Sequence, residues 1–259
     1  MGLFTPVWMT NDVKKQDAAA QSVRRIGNQD KLYKIATTAP LHGVRLAAVQ
    51  SMTDQDLLFK LATTSSTETV RRVAVRNITD QDKLYRIAVS APDDFDSLEA
   101  VRHISDPQKL REIAMTAPKR LICYAALDNI NDRQTLLDIV ANAAKPEVRD
   151  AAVRRIKDQQ TLLAFLQGDD ARLQEAAADV FKDVSLMEQI TDQRRLFLIA
   201  AKASDDAVRD AAFSAITDQT VFFDAAMDAR FKFSEREAAA AHLTDPALLK
   251  RVALECDEM

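Results

Sequence analysis

The side chains best suited to catalysis or metal binding are few and widely spaced. The three histidines are His42, His103 and His242, and the two cysteines are Cys123 and Cys256. Imidazole and thiolate groups bind zinc, or act in acid–base and nucleophilic chemistry, when several of them converge on one point. No CxxC motif or Cys/His cluster joins these residues in sequence. We therefore expect no metal site, and solvated or capping roles for the histidines.

Paired carboxylates are the next chemical candidates, because two neighbouring acids can serve as general acid and base. The pairs Asp93–Asp94 and Asp169–Asp170 both fall in expected turns, where capping of the following helix explains them. The chain has only 4 Gly in 259 residues, and it contains no Gly-rich phosphate loop, no GxSxG and no HExxH motif. These patterns predict a protein that is not an enzyme and that has no cofactor.

Composition and charge reduce the number of function classes that remain. The net charge is −4, so no overall positive charge draws the chain to nucleic acid or to an anionic membrane. No apolar run reaches the length of about 18 residues that a transmembrane helix needs. The start, MGLFTPVWMT, lacks the pattern of a signal peptide. The two distant cysteines favour a reduced, cytoplasmic protein over a disulfide-bonded one.

A repeat in the sequence determines the secondary-structure elements that position all these residues. The phrase RNITDQDKLYRIAVSAP, at 76–92, is nearly repeated as QSMTDQDLLFKLATTSS, at 50–66. A recurrent polar residue is spaced by 26 residues from Asn28 to Asp158, and further copies follow after intervals of 34, 26 and 27 residues. A fixed period of this length indicates a repeat array. After Asn28 the recurrent acids are Asp54, Asp80, Asp106, Asp132, Asp158, Asp192, Asp218 and Asp245.

Each unit of the repeat encodes two short helices, and the first begins at the recurrent acid. That acid is an expected N-cap, worth about 1 kcal/mol per helix. Pro107 and Pro246 follow it at the first helical position, where proline is favoured. Apolar residues four and seven positions after the cap, such as Leu84 and Ile87, form one face of this helix. A proline twelve residues after the cap, as at Pro92, ends it.

The second helix opens with Val-Arg and carries small residues on its buried side. Examples are VRRVAVRNI at 70–78 and VRDAAVRRI at 148–156. Helices of about 10 residues are marginal in isolation, so their stability must come from stacking of pair on pair, as in a solenoid. An alanine six residues before the following cap lets neighbouring helices approach closely. These alanines are Ala48, Ala74, Ala100, Ala126, Ala152, Ala212 and Ala239, and Ala177, fifteen residues before Asp192, is their counterpart in the irregular unit.

The helix pair with VRxAAV at the start of its second helix resembles HEAT-type repeats, especially the short bacterial form that also occurs in phycobilisome-lyase-like proteins. The resemblance covers about residues 12–254. It implies an all-α, right-handed α-solenoid of about nine two-helix repeats. An acid four residues before the arginine, usual in that family, is present as Asp205 before Arg209. It is absent before the equivalent arginines, which are then expected to bind cap aspartates or turn carbonyls: Arg45, Arg71, Arg149 and Arg236.

The repeat is irregular at its start and once in its interior. Residues 1–11 are expected to form an apolar lid over the first unit, with docking of a partner as the alternative. Residues 12–259 are expected to form one solenoid with an irregular unit at about 159–191, where SLMEQI adds a turn after a normal second helix. The apolar residues of the lid segment are Leu3, Phe4, Val7 and Trp8.

The second helices present an outward line of residues, eight and four positions before each cap. This line is basic and apolar in the first half of the chain and acidic in the second half. Residues 1–130 carry 18 Lys and Arg against 15 Asp and Glu, whereas residues 131–259 carry 17 against 24. The first half therefore predicts a partner site; the alternative is a solvated face with local pairs such as Asp150–Arg154. The predicted site residues are Arg72, Arg76, Leu98, Arg102 and Tyr124.

Three function classes fit such an array. The expected one is a non-enzymatic scaffold or adaptor that binds a protein or peptide. A nucleic-acid binder resembling the HEAT-like DNA glycosylases requires a groove that is basic throughout, which the acidic half opposes. An accessory protein resembling the bilin-lyase repeat proteins requires reactive or cofactor-contacting residues, and none is identifiable. We therefore expect a protein or peptide partner, no nucleic acid and no membrane.

Overall fold

The chain forms an array of short α-helices. The structure is a computed structural model, and it describes residues 6–229 and 231–256, with side chains as far as residue 254. Every element within these ranges is helical, and 3-10 helices lie at Val7–Met9, Val13–Lys15 and Val184–Gln189. The α-helices are α1 Gln16–Val23, α2 Gln29–Thr38, α3 His42–Gln50, α4 Gln55–Thr64, α5 Glu68–Asn77, α6 Gln81–Ser90, α7 Asp94–Arg102, α8 Pro107–Thr116, α9 Arg120–Asn129, α10 Arg133–Asn142, α11 Pro146–Arg155, α12 Gln159–Gln167, α13 Ala171–Val180, α14 Gln193–Lys202, α15 Asp206–Ala215, α16 Gln219–Met227, α17 Phe233–Ala241 and α18 Pro246–Cys256.

The described ranges hold eighteen α-helices, and consecutive helices pack as pairs, such as α2 with α3, α4 with α5 and α14 with α15. Neighbouring second helices, such as α3 and α5, contact each other more extensively than the corresponding first helices α2 and α4. The prediction of an all-α array of about nine helix pairs is confirmed. Its short helices bury their apolar faces against the helices of adjoining pairs rather than around one central core.

Contacts divide the chain into two compact units. Unit 1 comprises residues 1–135 and 142–144, and unit 2 comprises residues 136–141 and 145–259. Helices α1 to α9 belong to unit 1 and helices α11 to α18 to unit 2, while α10 contributes residues to both.

The recurrent polar residue caps the first helix of each pair. Asn28 accepts a hydrogen bond from the backbone N–H of Lys31 at 2.8 Å, and Asp80 accepts from Asp82 and Lys83 at 3.0 and 3.1 Å. These bonds satisfy N–H groups that have no partner inside the helix. Equivalent first-turn bonds are made by Asp54, Asp106, Asp132, Asp158, Asp192, Asp218 and Asp245.

The apolar face of each first helix and the alanine side of each second helix are buried. Leu84 and Ile87 of α6 are 0% and 1% exposed, and the alanines six residues before a cap, together with their counterpart Ala177, are all 0% exposed. A side chain that ends at Cβ lets second helices such as α5 and α7 approach closely. Any larger side chain there would have to displace a packed neighbour.

After six of the nine caps a glutamine follows directly and ties its pair to the linker that comes after that pair, a role that the repeat pattern alone did not predict. Gln55 Oε1 accepts from the backbone N–H groups of Thr79 and Asp80 in that linker at 2.8 and 3.1 Å, and Nε2 donates to the Thr53 carbonyl at 3.1 Å. The side chain thus satisfies backbone groups of the linker between pairs. Equivalent bonds are made by Gln29, Gln81, Gln159, Gln193 and Gln219.

Three arginines of the Val-Arg openings bind turn carbonyls, and Arg71 also pairs with the cap aspartate Asp93, so both kinds of expected partner occur. In these three cases Nη1 donates to the carbonyl six residues earlier, at the C-cap of the first helix of the same pair. This bond satisfies one of the carbonyls left free at a helix end. The bonds are Arg45 to Ala39 at 3.0 Å, Arg71 to Ser65 at 3.1 Å and Arg209 to Ala203 at 2.9 Å. Arg236 instead donates through Nε to the Ala226 carbonyl at 2.8 Å.

The start of the chain packs on the first helix. The 3-10 helix Val7–Met9 contacts α1, with Trp8 half-buried and Val7 62% exposed. Leu3 and Phe4 lie outside the described residues, so the lid of residues 1–11 stays a prediction.

The irregular interval consists of a helix pair and one inserted segment. Helices α12 and α13 form the pair, and the 3-10 helix Val184–Gln189 follows before the next cap. This segment buries Leu186 and Met187, so it is packed into unit 2 rather than held out as a loop.

Candidate functional site

The five predicted site residues lie on three consecutive second helices of unit 1. Arg72 and Arg76 are on α5, Leu98 and Arg102 are on α7, and Tyr124 is on α9. Helix α7 contacts both α5 and α9. Because residues four apart lie on one helix face, the arginine and leucine positions of α5 and α7 form a continuous surface.

Two exposed apolar residues that the sequence analysis did not select adjoin this surface. Phe95 and Leu121 are 63% and 51% exposed and occupy the same repeat position on α7 and α9. Each lies three residues before a predicted site residue, Leu98 or Tyr124, and so on the same helix face. Phe95, Leu98, Leu121 and Tyr124 are called the α7–α9 surface below. The sequence does mark this surface, because the segments DDFDSLEAVRHI and KRLICYAALDNI both lack the Val-Arg opening of other second helices.

The phenyl ring of Phe95 is held by a cation from the neighbouring helix. The guanidinium carbon of Arg72 lies 5.2 Å from the ring centroid of Phe95, and Arg72 also forms an ion pair with Glu68. A guanidinium over an aromatic face is an attractive contact that orients both groups. The ring is therefore positioned although most of it faces solvent.

A buried carboxylate lies beneath the predicted arginine line. Glu99 of α7 is 7% exposed and accepts a hydrogen bond from Nε of Arg76. Arg102 Nη1 is 3.4 Å and His103 Nε2 is 3.6 Å from its carboxylate. Burial alone would raise the pKa of Glu99, but the hydrogen bond and charge of Arg76 outweigh it and hold the pKa below its ordinary value. Two arginines thus share one carboxylate, so this edge of the α7–α9 surface stays positively charged.

The acidic second-helix line of unit 2 is partly paired across helices. The local pair expected between Asp150 and Arg154 is not the one formed; Arg154 Nε lies 2.8 Å from Asp179 Oδ2, 25 residues later. Helices α11 and α13 are neighbours, so this bond joins two pairs of the array. Glu175, Asp210 and Glu237 are exposed.

The residues with catalytic or metal-binding potential have structural surroundings. His103 and His242 occupy C-cap positions of α7 and α17, and His42 begins α3, with Nε2 3.2 Å from the Thr69 hydroxyl. Asp93 and Asp170 are N-caps of α7 and α13. Across residues 6–229 and 231–254, no group of three or more His, Cys, Asp or Glu side chains is placed to hold a metal ion.

Unit 2 contains a cleft of about 410 Å³ beside an aromatic cluster. Phe197 and Phe231, whose ring centroids are 5.3 Å apart, line it together with Val221. Its charged groups pair with each other, since Arg194 Nη2 is 3.4 Å from Asp224 Oδ2. In the part of the chain that is described, no buried polar atom without a hydrogen bond lines this cleft.

None of the described helices has the length and apolar character needed to cross a bilayer. Comparison of the chain with protein-family models, with curated proteins and with solved structures found no match in any of the three.

Proposed function

We propose that this helical array is of the HEAT-like type and acts as a non-enzymatic protein-interaction scaffold whose docking site is the α7–α9 surface. The observation that carries the proposal is the exposure of two large apolar side chains, Phe95 at 63% and Leu121 at 51%, side by side in the repeat. Elsewhere in unit 1 the same position is filled by Gly43 and Thr69. Contiguous exposed apolar groups are typical of interaction sites, whereas isolated ones are ordinary.

The chemistry around the surface indicates what kind of segment would dock there. Arg120 is exposed and forms no ion pair with a described residue, and Arg102 shares its carboxylate with Arg76. Aromatic side chains and arginine at an apolar centre are the composition enriched in protein interfaces. We therefore expect a protein segment that presents aliphatic side chains with carboxylates beside them. The cytoplasmic location expected from the cysteines stays a prediction.

The experiment compares affinity capture from an extract of the source organism by three proteins. The wild type is compared with the double variant Phe95→Ser/Leu121→Ser and with Phe233→Ser, which removes a phenylalanine that is 79% exposed in unit 2. We expect one or more captured proteins to be lost with the double variant and retained with Phe233→Ser. An identical set of captured proteins from all three would contradict the proposal. Far-UV circular dichroism establishes that each variant keeps its helix content.

A further inference from the structure

A cleft of about 360 Å³ lies between the helix pairs α4–α5 and α6–α7. The C-terminal ends of α4 and α6 line it, together with Arg71 of α5 and Asp96 of α7. This volume falls within the range of roughly 300–1,000 Å³ that is usual for sites of small ligands.

Asp96 places a carboxylate where most other second helices have an aliphatic residue. Val44, Val70 and Val208 hold this position in other second helices, and they are buried like Asp96, which is 2% exposed. Asp96 Oδ2 lies 2.6 Å from Arg71 Nε. Asp96 Oδ1 is buried and receives no hydrogen bond from any described residue. A buried carboxylate oxygen without a donor is destabilising, so a donor that reaches it is favoured.

Glu235 of α17 provides an internal comparison, because it occupies the same repeat position with a carboxylate. It is 9% exposed, its Oε1 lies 3.0 Å from Lys202 Nζ, and its Oε2 accepts from the backbone N–H of Lys232 at 3.0 Å. Both oxygens of Glu235 therefore have donors. Asp96 differs in having one oxygen that faces no donor.

A second group of the cleft also lacks the donor that other pairs supply. Ser97 stands where other second helices carry the arginine that binds the carbonyl six residues earlier. The equivalent carbonyl is that of Ala91, the C-cap of α6, and Ala91 lines the cleft. No donor within the described ranges reaches the Ala91 carbonyl oxygen.

The charges around the cleft leave one carboxylate in excess. Among the described residues, Arg71 is the one cation that pairs with both Asp96, at 2.6 Å, and Asp93, at 3.3 Å. At the edge, Lys119 pairs with Asp94 and donates to the Pro92 carbonyl, so those two charges cancel. The surroundings of Asp96 Oδ1 therefore favour a donor that carries positive charge.

We propose that this cleft binds a guanidinium group, as in an arginine side chain presented by a partner. The group donates to Asp96 Oδ1 and to the Ala91 carbonyl. It therefore takes the place of the arginine side chain that other second helices carry at the position of Ser97. A planar guanidinium has several N–H donors in a fixed fork, which suits two acceptors of different type better than an ammonium does. The proposal does not depend on the α7–α9 surface.

The test measures binding of N-acetyl-arginine amide to the full chain by ligand-detected NMR and calorimetry. The matched control ligand is N-acetyl-citrulline amide, which keeps the shape of the side chain but has no charge. We expect the arginine compound to bind at least about tenfold more tightly than the citrulline compound, because its hydrogen bonds are charge-assisted. Equal binding of the two, absence of binding by the arginine compound, or tighter binding of N-acetyl-lysine amide would overturn the proposal.

Two variants locate the site. Ser97→Arg restores the arginine carried at this position by α3, α5 and α15, and we expect it to fold, to raise the melting temperature and to abolish binding of the arginine compound. Asp96→Val introduces the valine that α3, α5 and α15 carry at this position and removes the carboxylate, with the same expected loss of binding. Binding that persists in a folded Ser97→Arg protein at wild-type strength would overturn the assignment to this cleft.

Discussion

Gln55 Oε1 lies 2.8 Å from the backbone nitrogen of Thr79, a residue of the linker that leads into the next helix pair. This contact shows why the chain repeats the same phrase. Most pairs present a cap, two apolar residues and a glutamine in fixed register, and the glutamine binds the linker that leads into the following pair. The sequence therefore repeats because similar contacts between neighbouring pairs recur along the array.

Replacing Gln55 by leucine should weaken the junction between the pairs α4–α5 and α6–α7. The change removes the acceptor of two backbone N–H groups, Thr79 and Asp80, and we expect a loss of about 1 kcal/mol in the free energy of unfolding. Hydrogen exchange should show faster exchange of these two amides. Gln50→Leu is the matched control, since Gln50 is exposed and makes no side-chain hydrogen bond with a described residue. Equal protection of both amides in wild type and Gln55→Leu would refute the role given to Gln55.

Acid should destabilise the protein through the N-caps. A hydrogen bond from the Lys83 side chain, followed by one from its backbone N–H, holds the pKa of Asp80 below its ordinary value, and the pKa values of Asp106, Asp132 and Asp218 are lowered as well. The folded chain therefore binds protons less readily than the unfolded chain. Stability from these groups is present above the unfolded pKa of about 4 and is lost as the pH falls through the folded values.

The measurement is the urea midpoint at pH 7 and at about pH 3, which should be lower at the acidic pH. Asp80→Asn is the matched variant, because asparagine caps a helix through its carbonyl oxygen but does not titrate. The difference between the two midpoints should be smaller for this variant than for the wild type. Equal midpoints for the wild type at both values would show that the caps are not a source of acid sensitivity.

Enlarging a buried alanine should lower the free energy of unfolding more than enlarging the half-buried alanine beside it in sequence. Ala126 is 0% exposed on α9, whereas the adjacent Ala125 is half-buried. Ala126→Leu forces the second helices apart, and we expect a loss of about 1–3 kcal/mol in the free energy of unfolding. Ala125→Leu should change it less. If urea titration gave the two variants equal stability, close packing at the alanine positions would not be a determinant of the array.

The two arginines beside Glu99 should respond differently to charge reversal. Arg76→Glu places a second carboxylate against buried Glu99, and we expect a loss of about 1–2 kcal/mol, moderated because Arg76 is 56% exposed. Arg102 is 69% exposed and lies 3.4 Å from Glu99. Its change to glutamate should lower the free energy of unfolding by under about 1 kcal/mol. Thermal unfolding distinguishes the two variants. Because Arg76→Glu disturbs stability, loss of partner capture by that variant would not by itself identify a docking surface.

The repeat made the helix pairs predictable, because caps and apolar positions are local features with fixed spacing. Asp80, Leu84 and Ile87 determine one helix without reference to residues outside it. The alanines were predictable for a similar reason, since only a small residue suits close helix contact. The period therefore led directly to the fold.

The contacts between pairs were harder to predict. Gln55 is an ordinary polar residue in its own helix, and its role appears only when Thr79 is placed beside it. Asp96 and Glu99 are buried acids, and nothing in their local sequence indicates it, since their partners Arg71 and Arg76 lie more than 20 positions earlier in the chain. The segments that contain Phe95 and Leu121 differ from other second helices in lacking the Val-Arg opening. This difference alone does not show whether the two side chains are exposed or buried.

The most direct test of the proposed function is photo-cross-linking from the α7–α9 surface itself. Benzoylphenylalanine is introduced at Leu121 in one protein and at Phe233 in a second, and the cross-linked peptides are identified by mass spectrometry in the source organism. We expect position 121 to cross-link to a protein segment of aliphatic residues flanked by aspartate or glutamate, and position 233 not to cross-link to that segment. Cross-linking of the same segments from both positions, or of a basic segment from position 121, would contradict the proposal.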